Sequence, residues 1–303
     1  MSRVVVVGAG PGGLACAVEL AEAGSGSVML VDEGTALGGQ IWRRDVAAPK
    51  APEPAARKTQ WIARAEAQIK ARRLDYRARH VAVDGRADPL SLDLQPLRAG
   101  GSPERVHADA LVLACGARER FLPFAGWTRP GVFGVGGLQA LVKQGLPVAG
   151  KRVVLAGSGP LLLAVAADLR ARGAELVALA EQTPRRAMIG LGAAAVGQRS
   201  KRVQAAELAA RLVGVPRLWS SWPVEALGAD ARPDSPATAL VVTDERGRER
   251  RLEADYFGCG FGLIPELRLA QALGCLRSPE PKSLDAGLRV DADQATSVPG
   301  VYA

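Results

Sequence analysis

The stretch Val4-Val5-Val6-Val7-Gly8-Ala9-Gly10-Pro11-Gly12-Gly13 decides how this chain is read, and it returns in outline as Val153-Val154-Leu155-Ala156-Gly157-Ser158-Gly159-Pro160-Leu161-Leu162. Each copy runs from a valine-rich segment through a glycine turn into an alanine- and leucine-rich segment. Strand, glycine turn and helix in that order make a βαβ nucleotide-binding unit. A single G-x-G-x-x-G is weak, because glycine turns are common. Two copies in the same context predict an enzyme that holds two nucleotides.

The demands on the first turn are physical. Gly8 permits the tight turn, Gly10 lets backbone approach a pyrophosphate, and Gly13 lets the helix pack against the strand. After Pro11, a helix is expected from about Gly12 to Ala23, with its N–H groups and positive dipole end aimed at the phosphates. A second strand, Val28 to Val31, ends at Asp32-Glu33. An acid about 20 residues past the turn accepts a hydrogen bond from the adenosine ribose. Asp32, at the strand tip, is the favoured residue and Glu33 the alternative.

The second turn is less complete, because Leu162 stands where the third glycine would be. Gly157, Gly159 and Pro160 remain, and the strand Leu176 to Ala180 ends at Glu181. An acid there suits a ribose 2′-hydroxyl and repels a 2′-phosphate, which favours NAD over NADP. Arg185 and Arg186 follow closely and could reverse that preference. The alternatives are a degenerate site, or another adenine nucleotide held structurally.

A chain of 303 residues is long enough for two domains with their own cores. No apolar stretch reaches the roughly 18 residues of a membrane span. The N-terminus runs straight into the first strand with no signal sequence, so a cytoplasmic protein is expected. The net charge of +8 comes from 39 basic and 31 acidic residues. Basic clusters at Arg170/Arg172, Arg199/Lys201/Arg202 and Arg246 to Arg251 lack interleaved aromatics, so nucleic acid is not an expected partner. The four cysteines, Cys16, Cys115, Cys259 and Cys275, form no C-x-x-C pair, and no histidine stands at ligand spacing, so no metal site is expected. Cys16 and Cys115 read as core residues, and His80 and His107 as surface ones.

Between the two turns lie a loop, Gly38 to Arg44, a proline- and alanine-rich link, Pro49 to Pro54, and a basic amphipathic helix, Gln60 to Arg73. Short alternating strands from Tyr76 to Val106 suggest an antiparallel meander. Ala110 to Ala114 reads as a buried strand, and Pro123 to Gly137 as a linker before a helix at Leu138 to Gln144. After the second unit come a helix near Gln204 to Leu212, hairpin strands Pro223–Leu227 and Ala239–Thr243 turning at Arg246-Gly247, a buried strand near Tyr256 to Cys259, a helix from Glu266 to Leu273, and short strands at Leu288 to Val290 and Gly300 to Tyr302. The fold class is α/β.

These motifs resemble the flavoprotein oxidoreductases with two dinucleotide-binding domains, the glutathione reductase and thioredoxin reductase superfamily. The matching residues are the first turn with Asp32, the loop Gly38-Gly39-Gln40, the turn Ala114-Cys115-Gly116-Ala117, the second turn, and the tail Ala295 to Ala303. Gly39-Gln40-Ile41-Trp42-Arg43, Gly116-Ala117-Arg118-Glu119-Arg120-Phe121, Pro130-Gly131-Val132-Phe133 and Gly136-Gly137-Leu138-Gln139 are similar to one subfamily. It holds the FAD-containing A or alpha subunits of opine oxidase, hydrogen cyanide synthase and the heteromeric proline and sarcosine dehydrogenases.

The resemblance implies two Rossmann-like domains, each with a β-meander: an FAD domain, 1–122 and 284–303, and an inserted NAD(P)-type domain, 123–283. It implies FAD on the first turn, with Gln40, Trp42 and Arg43 near the flavin, and a second nucleotide, NAD(P) or another adenine nucleotide. It implies a small amine or amino-acid substrate, reached through a partner flavoprotein subunit, and leaves the electron acceptor open. The redox cysteine pair of the disulfide reductases is absent from both usual places, so disulfide reduction lacks its chemical group. The superfamily tail runs on past the position of Ala303 into Gly-Asp or Gly-Glu, which implies an incomplete C-terminal part and weak retention of FAD. The alternatives are a stand-alone NAD(P)H-dependent flavoprotein reductase and a non-catalytic nucleotide-binding subunit.

Overall fold

A computed structural model of the protein describes residues 2–46, 56–187, 207–278 and 287–303. The link Pro49 to Pro54, the basic cluster at Arg199/Lys201/Arg202 and the start of the helix expected near Gln204 lie outside them. The chain forms two compact units, Met1–Arg118 with Ile264–Ala303, and Glu119–Leu263.

The first unit begins with β1 (Arg3–Val7), α1 (Pro11–Glu22), β2 (Ser27–Asp32), α2 (Ala56–Lys70) and β3 (Leu74–Ala78). Next come the antiparallel strands β4 (His80–Ala87), β5 (Leu90–Pro96) and β6 (Glu104–His107), then β7 (Ala110–Leu113). Its later segment adds a short helix, Arg268–Ala272, and a last strand, Val301–Tyr302. That last strand, β7, β1, β2 and β3 lie side by side in that order as a five-stranded parallel sheet. A parallel sheet is covered on both faces, and alternation along a strand divides its side chains between them. Val6, Val28 and Leu30 face a core with Leu14, Ala17 and Val18 of α1. Val5, Val7, Met29 and Val31 face the other way, onto Leu92, Leu94 and Val106 of the meander.

Two short strands, β8 (Ala117–Glu119) and β17 (Leu263–Pro265), lie where the chain passes between the units. The second unit contains β9 (Val132–Gly134), α3 (Val135–Lys143), β10 (Arg152–Gly157), α4 (Pro160–Ala171), β11 (Glu175–Glu181) and β12 (Arg217–Trp219). A meander follows, β13 (Ser221–Gly228), β14 (Ala237–Asp244) and β15 (Glu249–Glu253), and then β16 (Tyr256–Gly260). The order β12-β11-β10-β16-β9 makes a second parallel sheet of five. Val153 and Leu155 pack with Leu138 of α3 and Val165 of α4 on one face, while Val154 and Ala156 pack with Leu240 and Val242 of the meander on the other. The expected fold class holds: two parallel α/β units, each with a meander. To keep chain order, Arg268–Ala272 is α5 and Val301–Tyr302 is β18.

The structure corrects two details. The helix expected at Glu266 to Leu273, placed within the stretch 123–283, belongs to the first unit. Leu269, Ala270, Leu273 and Cys275 are buried in one cluster with Val5, Val7 and Leu92, so the chain returns to that unit at Ile264. The expected linker Pro123 to Gly137 also carries structure, because Val132–Gly134 pairs with Phe257, Gly258 and Cys259 as the edge strand of the second sheet.

Candidate functional site

In the first unit the glycine turn lies at the carboxyl end of β1, where open parallel sheets take their ligands. Gly8 has φ +103°, a left-handed conformation natural to glycine. A Cβ on Gly13 would collide with the Gly8 carbonyl oxygen and stand 2.9 Å from Ala114 Cβ, so helix, turn and β7 meet only through glycine. A Cβ on Gly10 would meet nothing within 4 Å. Pro11 takes the first position of α1, and Gly10 before it supplies no side-chain cap. The leading N–H groups of α1 carry no side-chain acceptor, and they hold the positive end of the helix dipole.

Asp32 closes the turn. Its Oδ2 accepts the Ala9 amide at 2.6 Å and its Oδ1 the Gly34 amide at 2.7 Å. Glu33 is exposed beside it, and its charge reaches Cys115 and Arg268. The structure therefore divides the two candidate acids: Asp32 binds backbone, and Glu33 is solvent-facing.

The Gly38-Gly39 loop folds back onto the turn. The Gly38 amide donates to the Ala9 carbonyl at 2.8 Å, and a Cβ on Gly39 would stand 2.9 Å from Gly10 Cα. Arg43 Nε donates to Gln40 Oε1 at 3.2 Å. Trp42 is half-buried and packs against the core between β2 and α1. The Ala114 amide donates to the Val7 carbonyl at 2.8 Å, which sets the residue beside Gly8. Gly116 is exposed, and its carbonyl accepts the Glu266 amide at 3.0 Å. Gly8, Gly10, Gly13, Asp32, Gly39 and Ala114 thus surround one turn. A cavity of about 220 Å³ lies alongside, between Leu113, Cys115, Leu267, Leu288 and Val290. Burial first, and the Glu266 charge second, push the Cys115 thiol up to about 11.

The second unit repeats the device with different side chains. Gly157 has φ +135° and Gly159 φ +104°. α4 starts with Pro160 and no side-chain cap. Leu162, at the third glycine position, is 3% exposed and fills the α4 core. Glu181 is 7% exposed. Its Oε2 accepts the Gly159 amide at 3.3 Å and its Oε1 the Thr183 amide at 2.9 Å. Ser158 and Thr183 hydroxyls meet at 3.1 Å, while Arg185 and Arg186 are exposed.

Sequence reasoning misses three partners in these turns and a fourth at the start of α3. Gly34 and Thr183 follow an acid by two residues, and for Asp32 that spacing is a readable signal of an Asx turn. Ser158 needs Thr183 placed opposite it. Glu119 accepts the amides of Gly136 and Gly137 at 2.7 and 3.1 Å, at the start of α3, across 17 and 18 residues of chain. Among the described residues no group of His, Cys, Asp and Glu could hold a metal ion.

The family profile described as pyridine nucleotide-disulphide oxidoreductase matches residues 2–303. The chain belongs to this family. It is 31% identical to the HcnB subunit of hydrogen cyanide synthase from Pseudomonas protegens over 98% of this chain and 64% of that protein. It is 31% identical to the A-type subunit of opine oxidase from Rhizobium meliloti over 89% of this chain and 58% of that protein. The chain therefore spans about 60% of the length of such relatives. The alpha-type subunit of sarcosine oxidase from a Corynebacterium species is 29% identical over 88% of this chain and 27% of that protein. The crystal structure of thioredoxin reductase from T. acidophilum superposes with a TM-score of 0.68 at 21% identity, covering 100% of this chain and 89% of that one. That likeness carries the fold. No described helix is long and apolar enough to cross a membrane.

Proposed function

We propose that this chain is the FAD-binding subunit of a heteromeric amine or amino-acid dehydrogenase of the opine, proline, sarcosine or glycine type. The observation that carries the reading is the first turn. Its helix start lacks a side-chain cap, Gly10 leaves space for a close ligand, and Asp32 holds the turn shaped without filling it. An anionic dinucleotide fits that donor set. The relatives add the heteromeric part, since several are by name subunits.

In this reading the first unit binds FAD and the second an adenine nucleotide. Gly8, Gly10, Pro11, Gly12 and Gly13 present the pyrophosphate site, with Gly39 and Ala114 behind it. Glu33 offers a free carboxylate to the adenosine ribose, and Asp32 the second lone pairs of its two oxygens. Gln40, Trp42 and Arg43 flank the flavin end, with Gly116 beyond Ala114. Gly157, Gly159, Pro160 and Glu181 form the second site. Bound FAD would supply the two-electron chemistry, and the protein binding, orientation and electrostatics. The four cysteines are unpaired, which supports a role outside disulfide reduction. A partner flavoprotein subunit oxidises the amine and hands the electrons on.

A second reading, an NAD(P)H-dependent reductase acting alone, is favoured by the second turn, which keeps two left-handed glycines and an uncapped helix start. The visible spectrum of the purified chain, followed by anaerobic NADH, separates the two. Flavin bands that persist with NADH and bleach with partner and amine support the heteromeric reading. Bands that bleach with NADH alone support the reductase. A colourless protein that takes up no added FAD sinks both.

A further inference from the structure

Tyr76 stands on β3 in register with Leu30, and Ala78, two residues on, stands in register with Asp32. Alternation puts Tyr76 and Asp32 on the same face of the sheet. The Tyr76 ring packs against the core of Leu14, Val18 and Leu30, a core that Leu37 and Trp42 also border. Its hydroxyl is closed off from solvent and has no hydrogen-bond partner. Burial, reinforced by the charge of Asp32, pushes the phenol up to about 12. It is a protonated donor throughout the neutral range.

A buried tyrosine hydroxyl ordinarily finds a partner, and one that does not calls for a reason. The acceptors nearby are in use. Asp32 holds the amides of Ala9 and Gly34, and the Gly34 carbonyl takes the Arg79 amide at 3.0 Å. Backbone amides of Ala9, Gly34 and Arg79 take these acceptors, and the phenol is left over. A phenylalanine would fill the same space without that cost, so packing does not account for the oxygen.

The path of a dinucleotide does. Phosphates sit at the turn after the first strand, and the nucleoside runs outward across the tip of the second. Tyr76 is on the third strand, beside the acid that closes the turn. We propose that the Tyr76 hydroxyl is reserved for the nucleoside end of that ligand, donating to the oxygen of an adenosine sugar hydroxyl. This rests on the first turn being the FAD site. The sugar hydroxyl gives its own proton to the exposed carboxylate of Glu33 and accepts from the phenol, so each hydroxyl donates once. Tyr76 is then a specificity residue for a ribose-bearing nucleotide.

The test uses the full chain stripped of flavin, with Tyr76→Phe beside wild type. Melting temperature without ligand is measured first, then dissociation constants for FAD, ADP, 2′-deoxy-ADP and 3′-deoxy-ADP. The ligand-free variant should melt at or above wild type, because the lost hydroxyl had no partner. FAD and ADP should bind about three- to ten-fold more weakly, the worth of one neutral hydrogen bond. One of the two deoxy analogues should bind variant and wild type alike. Equal affinity for ADP in both proteins overturns the contact, as does a ligand-free variant that melts lower. A loss equal for all three ADP analogues overturns the sugar as its target. Wild type that binds neither FAD nor ADP overturns the cofactor reading itself, and the contact with it.

Discussion

Asp32 grips the Ala9 amide across 23 residues of sequence, at 2.6 Å, so the tip of the second strand holds the turn after the first. The same carboxylate takes Gly34 at 2.7 Å. Asp32→Ala strands two part-buried amides at once. Losing a partner of that kind costs about 1–3 kcal/mol, and the turn proposed to hold FAD loses its shape with it. Thermal melts of the ligand-free chain should fall, and FAD affinity should drop by more than about ten-fold, the equivalent of 1.4 kcal/mol. Asp32→Asn keeps one acceptor oxygen and should lose about half as much stability. An Asp32→Ala protein that melts like wild type would remove the latch from the account.

Gly10 and Gly13 should part company under the same substitution. Alanine at position 13 drives its Cβ into the Gly8 carbonyl and against Ala114. Nothing there yields cheaply, because the obstacle is backbone, and the first unit should unfold or be recovered only as aggregate. Alanine at position 10 meets nothing within 4 Å, and the residue already has φ −67°. Its stability without ligand should match wild type, or exceed it by up to about 1 kcal/mol through a less flexible unfolded chain. Its FAD affinity should fall, because the methyl stands where the pyrophosphate of the proposed FAD site would approach. Paired melts and flavin titrations of Gly10→Ala check this, and unchanged affinity would move the phosphates elsewhere.

The two turns are legible in the sequence because they are local. Hydrophobic runs, glycines, proline and the terminal acids sit within about 30 residues, the size of one βαβ unit. The helix Arg268–Ala272 is harder to assign to its unit, because five residues of amphipathic pattern do not name the sheet they cover. Only the burial of Leu269 and Leu273 against Val5 and Leu92 settles it. The strand Val132–Gly134 is hidden for a related reason. Three residues, the last of them a glycine, carry no period, and their strand character comes from pairing with Phe257 to Cys259 more than 120 positions away. Asp32 stands out in the sequence for an acid's charge and position, yet its oxygens are spent on backbone, which spacing alone does not reveal.

Glu119 is a cap supplied from far along the chain. Its carboxylate accepts both leading amides at Gly136 and Gly137, and it stands within about 3.3 Å of a Cβ placed on Gly260. Glu119→Ala should destabilise the chain by about 1–2 kcal/mol, the range for losing a helix cap with its dipole interaction. Glu119→Gln keeps an acceptor without the charge, and should lose less. Melting curves of both variants order them. Equal loss would mean that charge, rather than hydrogen bonding, holds the helix start.

Stability should also fall on the alkaline side, and the cysteines say where. The Cys115 thiol is held up to about 11 by burial and then the Glu266 charge, and burial, with a smaller part from Glu119, holds Cys259 up to about 12, both from an ordinary 9.0. Below pH 9 each thiol is protonated whether the chain is folded or not, and the full stabilisation is present. Above pH 9 the unfolded chain gives up these protons first, so the folded state binds more of them and stability declines as pH rises. Cys115 alone should remove about 2–3 kcal/mol between pH 9 and 11. Denaturant midpoints at pH 7.5, 9, 10 and 11 measure the slope, and Cys115→Ala should make it shallower. The same protonation slows alkylation, so iodoacetamide at pH 7.5 should label Cys115 at least about ten-fold more slowly than a free cysteine of ordinary pKa. Rapid labelling at neutral pH, with a stability curve flat to pH 11, would place that thiol in water instead of at the edge of the cavity.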